Sequence, residues 1–153
     1  MPVNADAAQA WFVAGTIPLI LAGGLHVLYA LVDTVRPRYF APVERSVKPA
    51  MEGTTIRLRR AAPRGDQAKP SMWTIWLGVH IGFGLGIFAF GLLCLMIAAH
   101  DFGLVQSIAA IRPLTIAFCA AYLALSLRFF YYVQAIITGT ATACFTIAAV
   151  LSA

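Results

Sequence analysis

Trp73–Ala98, WTIWLGVHIGFGLGIFAFGLLCLMIA, runs its whole length without an Asp, Glu, Lys or Arg. An uninterrupted apolar stretch of more than about 18 residues reads as a transmembrane helix. Ser71 is a plausible cap for it, and Trp73 and Trp76 suit the membrane interface where amphipathic rings collect. This span sets the frame for the rest of the chain.

Upstream, Ala10–Val32 is a second apolar run, broken only by Pro18, which should kink it or require a neighbour to satisfy the freed carbonyl. At about 1.5 Å per residue it covers a hydrocarbon core of about 30 Å. Met1–Gln9 carries Asp6 and no Lys or Arg, so the run is expected to be a retained span, not a signal peptide. Between the two spans, Thr34–Met72 turns to proline, glycine and charge, as a connector. Val43, Val47, Ala50 and Met51 share a helical face there, although Pro49 interrupts the pattern of an interfacial helix.

Downstream, His100–Gly103 makes a short polar turn, and the remaining apolar sequence is long enough for two spans. The third starts between Ile108 and Pro113, since proline suits a first helical turn and Arg112 is costly deep in lipid. A break at Arg128–Tyr132, a charged and aromatic cluster, separates it from the fourth. The expected spans are residues 10–33, 73–98, 108–128 and 131–152, with a connector at 34–72. The fold class is all-α: a transmembrane four-helix bundle in one domain.

Nine of the eleven Lys and Arg residues lie between Arg36 and Lys69. Basic residues beside spans favour the cytoplasmic side. The connector is therefore expected in the cytoplasm and both termini outside, which also puts Arg128 inside. Hydrophobic residues make up 61% of the 153-residue chain and charged residues 11%, more apolar than a soluble core uses. The net charge of +5 belongs to the membrane surface: anionic lipid headgroups are the expected partner, and nucleic acid is not.

Three features carry possible function. His26 and His80 lie at similar depth on consecutive antiparallel spans, with Gly23 and Gly84 one turn away. Ionisable residues within a span are candidate functional groups. His26, Tyr29, His80 and Gly84 are thus the candidate ligand-binding residues. Each histidine instead bonding a neighbouring helix or reaching interfacial water is the plainer reading; bis-histidine ligation of haem b and a proton-relay or quinone-type site are the sharper ones. Gly78, Gly82 and Gly86 recur every four residues, as do Ala135, Gly139 and Ala143, and such small-residue faces let helices approach closely, within the bundle or against another subunit. Thr138, Thr140, Thr142 and Thr146 are expected to bond back to their own helix.

Catalytic signatures are absent. The six carboxylates, Asp33 among them, fall in ends or loops, against a carboxylate-driven pump, and no nucleophile elbow or phosphate-binding loop occurs. Cys94, Cys119 and Cys144 sit in apolar segments without metal spacing, and a Cys94–Cys119 bridge would require their helices to touch. No internal repeat supports an inverted-repeat transporter.

Trp76–Gly86 (WLGVHIGFGLG), Phe90–Leu93 (FGLL) and the segment Tyr122–Tyr132 with its LSLRFF run resemble an uncharacterised family of small four-span bacterial integral membrane proteins. That resemblance implies a multi-pass inner-membrane helical protein and no particular activity, and the basic connector departs from it. A small structural or accessory subunit of a membrane complex is the leading expectation. A redox protein holding haem or another small ligand at His26 and His80 is the alternative, and an oligomeric transporter a third.

Overall fold

The computed structural model describes residues 5–56 and 70–152. Arg57, Arg59, Arg60, Arg64 and Lys69, more than half of the basic connector's cations, lie outside the described residues. Among the described residues six helices follow in order: α1 Ala5–Val35, α2 Val47–Gly53, α3 Met72–His100, α4 Phe102–Ser107, α5 Ile111–Phe129 and α6 Tyr132–Leu151. Among the described residues the only β pairing is an isolated bridge of Thr55 with Ser71. Helices α1, α3, α5 and α6 are long and apolar enough to cross a membrane.

The chain divides into two compact units, residues 25–85 and the remainder. In the larger, α5 and α6 pack along each other. Phe12, 1% exposed, meets the rings of Phe145 and Phe102 edge-on at 4.9 and 5.9 Å. Gly15 and Gly91 allow close helix contact, since a Cβ on Gly91 would lie 3.0 Å from Leu19 Cβ and Ile20 Cγ1. One on Gly15 would lie 3.1 Å from Cys144 Cβ. The Arg112 guanidinium donates to the carbonyl of Ser152 at 3.2 Å, placing a cation at the C-terminus of α6, where the helix dipole favours it. Thr138, Thr142 and Thr146 each bond the carbonyl four residues back. All three cysteines are free and buried.

Two short helices refine the sequence reading. Asp101, expected in a polar turn, accepts a hydrogen bond from the Gly103 amide at 2.8 Å and caps α4, so the third long helix starts at Ile111. The α2 helix forms in spite of Pro49 because that residue is third in its first turn, where an amide hydrogen has no intrahelical acceptor to lose.

In the unit of residues 25–85, Met51 from α2, Trp73 and Leu77 from α3, and Ala41 make a small core. Lys48 lies 5.3 Å from the Trp73 ring centre and pairs with Glu52 one turn on.

Candidate functional site

The last turns of α1 carry His26, Tyr29 and Asp33 at spacings of three and four, one helical face. The first turns of α3 carry Trp76, His80 and Phe83 in the same manner. These faces bring the two histidines together: His26 Nε2 and His80 Nδ1 are 3.0 Å apart, within hydrogen-bond distance. One nitrogen donates and the other accepts, so the two rings form a short chain from His26 Nδ1 to His80 Nε2.

Aromatic rings enclose the pair. Phe40 stacks on His80 at 4.2 Å with an 18° tilt and lies 4.6 Å from the His26 ring. Trp76 meets His80 edge-on at 4.5 Å, and Phe83 approaches His26 at 5.2 Å. His80 Nε2 is shielded and finds no hydrogen-bond partner among the described residues. A buried polar nitrogen left so costs about 1–3 kcal/mol and calls for an explanation.

Asp33, expected in a loop or at a helix end, is at a helix end and buried there. It lies in the final turn of α1 and is 0% exposed. Its Oδ1 accepts from the amides of Arg38 and Tyr39 at 2.8 and 2.9 Å, and its Oδ2 from those of Tyr39 and Phe40 at 3.1 and 2.6 Å. Phe40 is held from its other side too, since Trp76 Nε1 donates to its carbonyl at 3.1 Å. Neither Asp33 nor Phe40 was among the candidates read from sequence. The signal for Asp33 was available: an acid at a helix C-terminus opposes the dipole, so it needs local donors to offset the cost.

Tyr29 stacks on Tyr39 at 4.2 Å, beside the histidine pair instead of in it, and Gly84 is buried. A Cβ on Gly78, Gly82 or Gly86 would meet nothing within 4 Å among the described residues, so this stripe is open there. Gly139 would meet only Leu123 Cδ1 at 3.7 Å; Ala135 is half-buried and Ala143 exposed.

These residues do not fit a haem as they stand. His26 Nε2 and His80 Nδ1 face each other at 3.0 Å, a separation that leaves no room for an iron and its macrocycle bonded to both. Among the described residues no three His, Cys, Asp or Glu side chains are grouped to hold a metal ion. What the arrangement offers chemically is hydrogen bonding and proton exchange through two linked imidazoles. No family model, curated protein or solved structure matches the chain, so the resemblance to small four-span bacterial proteins rests on its short motifs alone.

Proposed function

We propose that the chain is a multi-pass protein of a bacterial inner membrane, with both termini outside and the 34–72 connector in the cytoplasm. Within it, His26 and His80 act as a proton-exchanging pair that presents one hydrogen-bonding nitrogen to a small ligand. The observation that carries this reading is the 3.0 Å contact between the rings together with the shielded Nε2 of His80, which has no hydrogen-bond partner among the described residues. Imidazole is suited to the role because each ring can take a proton at one nitrogen and release it from the other.

Histidine-labelled protein in lipid nanodiscs tests the pair. Two bonded imidazoles titrate as a unit, so nitrogen NMR should show both rings responding to the same transitions. In His80→Phe the His26 transition should be displaced. A His26 titration that is unchanged by His80→Phe would defeat the reading.

The open stripe of Gly78, Gly82 and Gly86 favours a second, compatible reading, in which the protein is an accessory subunit that receives another helix there. A copy of the chain on that face would give the oligomeric transporter. Crosslinking from Gly82→Cys in native membranes, with none from exposed Ala120→Cys, is the expected result; equal yields from both count against it. The fully exposed Val43 offers a test of sidedness. Val43→Cys should react with an impermeant maleimide only after the cytoplasmic face is opened, and labelling of intact cells would reverse the topology. In the proposed orientation the exposed Arg36, Arg38 and Arg45 face anionic headgroups, worth about 1 kcal/mol per cation near such a surface.

A further inference from the structure

The segment Arg38–Phe40 directs three consecutive amides at one carboxyl group. Four contacts of 2.6–3.1 Å join these amides to Asp33, which is buried and has no Lys or Arg side chain paired with it among the described residues. Such amide–carboxylate bonds are short and directional, and they fix the path of the chain as it leaves α1. The consequence falls on Phe40. Its amide is tied to Asp33, its carbonyl to the Trp76 indole, and its ring lies on both imidazoles. Arg38 and Tyr39, by contrast, are exposed, so their departure breaks the Tyr29–Tyr39 stack but opens no buried core.

We infer that residues 38–40 form a strap over the histidine pair, with Asp33 as its latch and the Phe40 ring as its lid. The purpose of the lid rests on the reading of the pair as a proton-exchanging site; its existence does not. While the strap is closed, Phe40 covers His80, whose Nε2 is shielded from solvent. Release of the Asp33 contacts frees the Phe40 amide and lets the ring lift, exposing the pair to water or to a ligand. Asp33 is therefore a positioning residue: it makes no hydrogen bond to either imidazole and, beside the charge it presents to His80, acts through Phe40.

Ethoxyformylation of imidazole in nanodiscs, read by peptide mass spectrometry, tests the strap. The exposed His100 serves as the internal reference. In the unaltered protein His26 and His80 should react at least about tenfold more slowly than His100, as expected for groups reached through local opening. Phe40→Ala and Asp33→Asn should remove most of that protection, whereas Phe40→Tyr, which keeps the ring, should retain it. Helicity and His100 reactivity should stay constant throughout, which separates lid opening from general loosening. Should Asp33→Asn fail to fold, Tyr39→Pro deletes the amide that serves both carboxyl oxygens and leaves α1 intact.

Fast modification of His80 in the unaltered protein, or protection that survives both Phe40→Ala and release of the latch, would overturn the inference. Coupled NMR titration with unchanged reactivity would remove the strap and leave the pair. Loss of coupling with the expected gain in reactivity would do the reverse.

Discussion

Gly91→Leu is expected to destabilise the protein in detergent by about 3 kcal/mol, the upper part of the range for overpacking a filled interior. Gly82→Leu, on the same helix, should stay within about 0.5 kcal/mol, as surface changes do. The difference lies in what each new side chain meets. A Cβ at position 91 would sit 3.0 Å from Leu19 Cβ and Ile20 Cγ1 and 3.2 Å from the Ile20 backbone nitrogen, and backbone cannot swing aside as a long side chain does. At position 82 none of the described residues lies within 4 Å. Denaturant unfolding followed by tryptophan fluorescence measures both. Equal destabilisation would mean that the stripe of Gly78, Gly82 and Gly86 is packed in the protein alone; a loss at Gly82 confined to native membranes would instead point to a helix supplied from outside.

This contrast also shows where sequence reading stopped. Spacing identifies which glycines share a face of α3, because 3.6 residues per turn is a property of the helix itself. It does not identify which face is covered. The isolated Gly91 carries the close contact, and the regular stripe carries none. The long helices were legible because length and scarcity of charge are local: α3, α5 and α6 lie within three residues of the expected bounds, while α1 starts at Ala5, five residues before its expected start. The histidine contact was partly legible as well: consecutive antiparallel spans put His26 and His80 at one depth, although depth alone does not set facing. Phe40 was hidden for a different reason. Its place is decided by amides bonding to a carboxyl group five to seven residues away, a pattern with no periodicity to read. The α4 helix escaped notice in the same way, since Asp101 converts an apparent turn into a capped helix.

Asp33→Ala is the second large effect, with an expected loss of about 3 kcal/mol. Removing the carboxyl group leaves the amides of Arg38, Tyr39 and Phe40 without their acceptor, and each unsatisfied buried donor costs about 1–3 kcal/mol. The sum is reduced because Arg38 and Tyr39 are exposed and their amides can turn to water once the strap lifts. Phe40, half-buried against the imidazoles, bears the remainder. A small gain opposes the loss, since an acid in the final turn of α1 is disfavoured by the helix dipole by a few tenths of a kcal/mol up to about 1 kcal/mol. The comparison substitution is Glu52→Ala, which breaks the ion pair with Lys48. With side chains 28% and 48% exposed, that pair contributes about 0–1 kcal/mol. Chemical unfolding of the two variants under one set of conditions therefore ranks a shielded set of amide bonds against a solvated ion pair. If Asp33→Ala proves no more costly than Glu52→Ala, the carboxyl group does not hold the strap, and Phe40 is kept on the histidines by the Trp76 bond and ring stacking alone.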